Sequence, residues 1–499
     1  MILAHDLGTT GDKAVLHRPD GAIEASVTVS YETRFATGGI AEQDPLAWWD
    51  ATVEATRILL DRADIDPGDI DCVTFSGQMM GVVLLDRAGV PVRPAIIWAD
   101  TRSQPQCASL LERVPMDRAY RITGHRLNPT YSLTKLMWVR DEEPESWRRA
   151  RVTLQAKDYV AYRLTGRLVT DPSDASSTNA YDQLAERWSH ELLDAAEIPA
   201  DLLPEVVPST TVIGTVTPEA AGDCGLQAGT PVVIGGGDGP CAATGAGVID
   251  PSQGAYVYLG SSSWVSLASD EPLLDPAKRT MTFNHVVPDR FVPTATMQAG
   301  GGSFEWITDI LEPGRQAGRY ERLAAPAAEV TAAEEGLLFL PYLLGERSPY
   351  WNPRARGAFI GLAKHHTPAH LARAVLEGVA MNLMVGLRAF QEQGATIDGI
   401  DAIGGGARSD LWLQILADVW GIPVRRRSLV DEANALGAAI VGAVGVGLVS
   451  GFEVAPTLSE TGAAFEPDPD THERYTSRYE QFLDAYIRLE PLFDQLAQG

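Results

Sequence analysis

The chain is short of cysteine, of positive charge and of long apolar runs. Four cysteines in 499 residues, Cys72, Cys107, Cys224 and Cys241, are too few and too scattered for a disulfide framework or a thiolate metal site. A reduced, cytoplasmic setting is the expectation. Lys and Arg number 40 against 66 Asp and Glu, a net charge of −26. A field of that sign repels polyanions, so nucleic acid and anionic membrane surfaces are not expected partners. The N-terminus, residues 1–6, has no basic region and no long apolar stretch, and does not read as a signal peptide. The most apolar run, 435–449, is dense in Ala and Gly and falls short of the ~18 residues of a membrane span. It reads as a packed core helix. Hydrophobic residues make up 45% and charged residues 21%, the balance of a soluble globular protein. The negative charge also sets a condition. If this protein handles phosphate, local chemistry must do it.

The opening alternates short apolar segments with turns. Segments 2–4 and 13–16 flank the turn Asp6-Leu7-Gly8-Thr9-Thr10-Gly11, and a turn at 19–21 leads to a third strand at 27–29. Helical periodicity spans about 46–63. Strands follow at 72–75, 82–85 and 95–98, and 103–188 reads as mainly helical. A buried strand at 231–234 runs into Gly235-Gly236-Gly237-Asp238-Gly239, then a small-residue helix continues to about 248. The opening's logic then recurs: a strand at 255–259, the turn Gly260-Ser261-Ser262-Ser263, and a strand at 264–267. Each half also has a late strand ending in three glycines before a helix, the second being Gly404-Gly405-Gly406 ahead of 410–420. This is the pattern of a duplicated α/β domain with a boundary near 245–254 and a polar helical cap at 465–499.

A hairpin turn rich in Gly and Thr, such as Asp6–Gly11, offers main-chain N–H groups and hydroxyls to an anion without cationic side chains. Asp6 is an oxygen donor of the kind that holds Mg²⁺ through water. An ordinary hairpin has the same composition. Gly260–Ser263 supplies a second such turn. Asp238 stands at the end of a buried strand and the start of a helix, the edge where ligands bind α/β sheets. A carboxylate there is placed to accept the proton of an attacking hydroxyl, and equally to cap the helix. The glycine runs 235–237, 300–302 and 404–406 let main chain approach a flat ring or a phosphate. Ser76-Gly77-Gln78-Met79-Met80-Gly81 and Trp98-Ala99-Asp100-Thr101-Arg102 combine groups that suit a small polyhydroxylated ligand. The plainer account is a core Trp98 and a surface Asp100–Arg102 ion pair.

Taken together, HDLGTTGDKAVL, SGQMMGVVLLDRAGVPVRPAIIWADTRSQ, GGGDG, YLGSSSW, PYLLGERSPYWNPRARGAFIGL and GGGARSDLWLQILADVWGIPV resemble the FGGY carbohydrate kinases, most closely the xylulokinase branch, from about residue 2 to about 450. Lys135–Glu142 is similar to the first signature of that family. Gly357–Leu362, followed by His370-Leu371 and Ala374–Glu377, is similar to the second.

The resemblance implies an α/β fold of two ribonuclease-H-like domains with an interdomain cleft: a sugar-binding domain at 1–248 and a nucleotide-binding domain at 249–499. It implies γ-phosphoryl transfer from ATP, with Mg²⁺, to a terminal sugar hydroxyl. Asp238 is the implied catalytic base, and Asp6 and Asp238 the implied metal carboxylates. Thr9, Thr10, Gly11 and Lys13 correspond to the first phosphate loop, and Gly260 and Ser261 to the second, with Gly302 beside it. Gly405, Gly406, Ala407 and Asp410 correspond to the adenosine region. Gln78, Met79, Met80, Asp100, Arg102 and Gly239 correspond to the sugar site. Two of these depart from the xylulokinase pattern, which carries His at the place of Met80 and Asn at that of Gly239. Each change removes a polar group directed at sugar hydroxyls, which bears on substrate identity. The expected reaction is phosphorylation of a ketopentose, D-xylulose first. The alternatives are ribulose, fuculose, gluconate, erythritol or glycerol. A homodimer and closure about hinge glycines near 245–254 are further family-level expectations. The rival class, an ATP-binding protein without catalysis, is disfavoured by the retained Asp238.

Overall fold

The computed structural model describes residues 1–314, 316–428 and 431–496. The last three residues of the expected helical cap, 497–499, lie outside the described residues.

Seven strands build the first sheet: β1 (Ile2–Leu7), β2 (Gly11–His17), β3 (Ile23–Ser30), β4 (Cys72–Gly77), β5 (Val212–Thr215), β6 (Pro231–Val233) and β7 (Gly236–Gly237). Their order is β5-β6-β4-β1-β2-β3, with β7 also paired to β4. Strands β1 to β3 form an antiparallel meander, β4 and β6 continue parallel to β1, and β5 returns antiparallel. Seven more strands build the second sheet: β8 (Ala255–Leu259), β9 (Ser263–Leu267), β10 (Met281–Asn284), β11 (Phe291–Met297), β12 (Ile400–Ile403), β13 (Val424–Arg427) and β14 (Thr461–Phe465). Strand for strand, β11-β9-β8-β12-β13-β14 repeats β3-β2-β1-β4-β6-β5 in order and direction. The duplication visible at two turns therefore extends across both sheets.

Period-two alternation divides each sheet into two faces. In the first, Leu3, Leu7, Leu16, Val73 and Phe75 turn outward and are covered by α1 (Pro45–Ala63) through Trp48, Trp49 and Leu59. In the second, Val257, Leu259, Val265 and Ala402 face α5 (Pro368–Glu392), α6 (Asp410–Trp420) and the aromatic side of α8 (Pro469–Leu496), with Tyr475, Tyr479 and Phe482. Between them in sequence lie α2 (Ser132–Glu142), α3 (Asp238–Gly245), α4 (Gly301–Leu311) and α7 (Ala433–Gly445).

The inner faces are covered crosswise. Helix α7 follows the second sheet's strands in sequence, yet Leu436, Ala439 and Ile440 pack on Ile2, Ala4, Val15 and Cys72 of the first sheet. Helix α3 issues from the first sheet, yet Ala242 and Ala243 pack with Tyr256, Val292 and Ile403 of the second. The two helices touch main chain to main chain. A Cβ on Gly437 would stand 1.9 Å from the Cys241 carbonyl oxygen, and one on Gly245 would stand 1.8 Å from that of Ala433. Only glycine permits this approach. Of the apolar run at 435–449, residues 435–445 lie in α7 and are packed as expected, whereas 446–449 lie past the helix end and Leu448 is exposed. No helix among the described residues is long and apolar enough to cross a membrane, and all four cysteines are buried thiols.

Candidate active site

Alternation turns Asp6, Lys13 and Ser76 to the inner face, and register sets them side by side: Asp6 lies opposite Lys13 on β2 and opposite Ser76 on β4. The Ser76 hydroxyl donates to Asp6 Oδ1 at 2.8 Å. Asp238 is the first residue of α3, immediately after β7, and its Oδ1 accepts the Gly239 N–H at 2.8 Å. Gly237, not Asp238, is the N-cap, so the capping role open to Asp238 in the sequence is not the one it takes. A Cβ on Gly237 would stand 2.6 Å from the Met79 sulfur, so glycine lets the chain pass hard against Met79 directly ahead of Asp238. Burial pushes the Asp238 carboxyl up to about 7, and the neighbouring Asp6 charge adds to the rise. Asp6 is itself raised by burial, with Ser76 and Lys13 pulling it back. Two adjoining carboxyls of raised pKa, with oxygen donors only, suit a hard divalent cation that relieves their repulsion.

The two turns flank this pair. Thr9 and Thr10 in one, and Ser261 and Ser262 in the other, donate their main-chain N–H to no acceptor among the described residues. Gly11 opens β2, with no room for a Cβ against the Val29 carbonyl oxygen 2.6 Å away. The Trp98 indole N–H donates to Thr9 Oγ1 at 2.8 Å, and the Gln43 amide donates to the Thr9 carbonyl at 2.6 Å. The second turn is seated on α4: Gly301 N–H donates to Gly260 O at 2.7 Å and Gly302 N–H to Ser261 O at 3.0 Å. The Gly302 amide is thus taken up in supporting the turn beside which it was expected. Lys13 is also engaged, donating to the Asp431 carbonyl at 2.8 Å with Glu432 at 3.9 Å, and so ties the first sheet to the segment ahead of α7. Gly405, Gly406 and Ala407 form one short turn that leads into α6. Arg426 Nε donates to Ala407 O at 2.6 Å and the same guanidinium pairs with Asp410. A side chain at Gly405 would meet nothing, so an open space adjoins that turn.

Among the residues expected at a sugar, Gln78 donates to Gln43 Oε1 at 2.7 Å and to Gly8 O at 3.3 Å, and its own Oε1 is buried without a partner among the described residues. Met79 and Met80 join Tyr131 in an apolar cluster, with Trp98, Tyr258, Trp264 and Trp351 packed at its edge. Tyr258 and Trp264 stack at 4.1 Å, and Tyr256 OH donates to the Gly239 carbonyl at 3.0 Å. Asp100 and Arg102 require correction. Asp100 is fully buried, and its oxygens accept from Arg102 and from the Ala41 N–H at 2.7 Å. Arg102 also pairs with Glu42 at 2.8 Å and lies over Trp138 at 4.7 Å. The pair is a buried brace with no oxygen left for a sugar, and it is not a surface pair either.

Sequence reasoning missed Lys135 and Arg347. Arg347 reaches from the second half to the Met80 sulfur at 3.6 Å, with its Nε buried and unpaired. Its flanks, GERSP, carry no periodicity that marks it. Lys135 stands in a helical pattern, where a lysine reads as solvated surface.

A cluster of Glu335, His365 and His366 lies elsewhere. The Ala363 N–H donates to His366 Nδ1 at 3.0 Å, and the Thr367 N–H to the neighbouring His370 Nδ1 at 3.2 Å. Those bonds put the ring protons of His366 and His370 on Nε2. His365 Nε2 and His370 Nε2 lie 3.2 and 3.4 Å from Glu335, while the buried His366 Nε2 has no partner among the described residues.

Comparison with known proteins agrees with this geometry. The model of the FGGY family of carbohydrate kinases, N-terminal domain, matches residues 1–245, and that of its C-terminal domain matches 255–446. The chain is 35% identical over 493 residues to a xylulose kinase of Escherichia coli, covering 99% of this chain and 100% of the other. It is similar to the structures of ligand-bound xylulose kinase and of gluconate kinase from Lactobacillus acidophilus. Each shows a TM-score of 0.93 and 27% identity, with 99% of both chains covered.

Proposed function

The chain belongs to the FGGY family of carbohydrate kinases, and from that premise we propose that it transfers the γ-phosphoryl group of ATP to the terminal hydroxyl of a ketopentose, D-xylulose first. The observation that carries the proposal is the Asp6–Asp238 pair, set between two turns with free main-chain N–H groups.

In this reading Asp238 accepts the proton of the attacking hydroxyl, and its raised pKa matches that task near neutral pH. The N–H groups of Thr9, Thr10, Ser261 and Ser262 receive phosphate oxygens. Asp6 and Asp238 would hold Mg²⁺, which when bound neutralises charge on the transferring phosphates. Gly405, Gly406 and Ala407 border the adenosine, with Asp410 braced by Arg426. Gln78, with its unpaired Oε1, and Met79, Met80 and Gly239 face the sugar, while Asp100 and Arg102 stiffen the wall behind it. The domains assigned to these tasks are 1–248 for the sugar and 249–499 for the nucleotide. Four buried, unlinked thiols fit a reducing, cytoplasmic setting.

A sugar acid is the second reading. It is favoured by the likeness to the gluconate kinase structure and by Met80 and Gly239 in place of two polar groups. Purified protein with ATP and Mg²⁺ is assayed for ADP release on xylulose, ribulose, fuculose, gluconate, erythritol and glycerol. Xylulose is expected to give the highest kcat/KM. A higher value on gluconate would replace the first reading with the second.

A further inference from the structure

The chain contains five lysines, Lys13, Lys135, Lys157, Lys278 and Lys364, and Lys135 and Lys157 are completely buried. Lys157 is neutralised in place by Asp158, Asp171 and Asp174 at 2.7, 2.9 and 3.2 Å. Lys135 forms no ion pair among the described residues. Its Nζ donates instead to three main-chain carbonyls, of Met80 at 2.9 Å, Ile97 at 2.8 Å and Thr130 at 2.5 Å. Three N–H groups meet three acceptors, so every donor of the amine is satisfied. Burial lowers its pKa to about 7, with the Asp100 charge opposing that fall.

Those carbonyls belong to three separate segments, and each segment contributes a side chain to one apolar cluster at the cleft: Met80, Trp98 directly after Ile97, and Tyr131 directly after Thr130. Met80 is the least relaxed of them, with a φ of +64 that residues bearing a side chain rarely adopt. Nothing in the main chain holds it there. The Met80 N–H donates to Ser177 Oγ at 3.1 Å and the Gly81 N–H to Gln155 Oε1 at 3.1 Å. The Gly81 carbonyl accepts from Ser132 Oγ at 2.9 Å, and Lys135 takes the Met80 carbonyl. All four main-chain groups of this dipeptide are therefore held by side chains, none by another main-chain group among the described residues.

We propose that Lys135 is a positioning residue of the sugar site: by gathering the carbonyls of Met80, Ile97 and Thr130 it sets the wall of Met80, Trp98 and Tyr131 against which the sugar lies. It touches no substrate itself. The inference rests on the reading of this cleft as a sugar kinase site. A lysine that merely supported the fold would affect sugar and nucleotide alike, whereas a positioning lysine separates them.

The test is Lys135→Met in the full chain, which keeps the length of the side chain and removes its donors. The KM for D-xylulose is expected to rise ~10–100-fold while that for ATP stays within about twofold, the size expected for unpaired buried carbonyls confined to one wall. Amide hydrogen exchange is expected to quicken in 78–82 and to stay unchanged in 255–267. Ser177→Ala, which loosens Met80 from its other side, should raise the sugar KM alone and by less, and it decides the matter if Lys135→Met does not fold. An unchanged sugar KM in the folded variants, or an ATP KM that rises in step with it, overturns the proposal. If the wild-type protein phosphorylates no ketopentose, the substrate reading fails. Hydrogen exchange still decides the positioning role: faster exchange in 78–82 supports it, and unchanged exchange overturns it.

Discussion

The turn at Met80–Gly81 and the turn at Gly260–Ser262 stand in opposite halves of the molecule and are held in opposite ways. The second is gripped by main chain: Gly301 and Gly302 at the start of α4 donate to its carbonyls, and Gly260 N–H closes on Ser262 O at 3.1 Å. The first is gripped by Lys135, Ser177, Gln155 and Ser132, with no main-chain partner among the described residues. A main-chain grip survives most substitutions so long as the close approach is kept. A side-chain grip is altered by a single replacement. Under the proposed assignment the first turn faces the sugar and the second the nucleotide.

Several substitutions would break or sharpen this contrast. The largest effect belongs to the group that both sides serve. Asp238→Ala should lower kcat by ~10²–10⁴-fold with KM for ATP little changed, as for the loss of a general base. Turnover near the wild-type level would remove Asp238 from the chemistry. The same carboxyl must be ionised to accept a proton, so in the wild-type protein kcat/KM should fall about tenfold per unit below its pKa and level off above it. With the carboxyl raised to about 7, that limb lies near neutrality, and a profile flat from pH 5 to 8 would count against the assignment.

Next comes the main-chain grip. A Cβ on Gly301 would stand 2.6 Å from the Gly260 carbonyl oxygen, which cannot give way without moving the turn. Gly301→Ala should raise the KM for ATP about tenfold and leave that for the sugar unchanged, the converse of Lys135→Met. If both constants move together, the two grips are not independent. The smallest effect is expected at Met80. Histidine tolerates a positive φ better than methionine and restores a polar group, so Met80→His should shift the xylulose-to-gluconate ratio of kcat/KM by ~3–10-fold without touching ATP. An unchanged ratio would separate the Met80 side chain from sugar choice.

What could be read from the sequence was local. The turns at Asp6–Gly11 and Gly260–Ser263 and the glycine runs are written in adjacent residues, and period-two alternation then turns Asp6 and Lys13 to the same face. The apolar run at 435–449 announced a buried helix, but burial by composition does not say on which sheet, and α7 crosses to the first. Asp100 and Arg102 gave the pattern of a ligand site or a surface pair, because charge in a sequence carries no depth. Lys135 was illegible for the same reason: its three partners are carbonyls, which every residue type supplies equally.

The crossed helices α3 and α7 bear on inheritance. Each half of the molecule has handed to the other the helix that lids its inner face, so a piece cut near residue 248 carries away its neighbour's cover and leaves its own behind. Neither half is a module that recombination can lift out and graft elsewhere. The two sheets repeat one pattern, yet each depends on a helix supplied by the other half, so the pair folds and passes on as one unit.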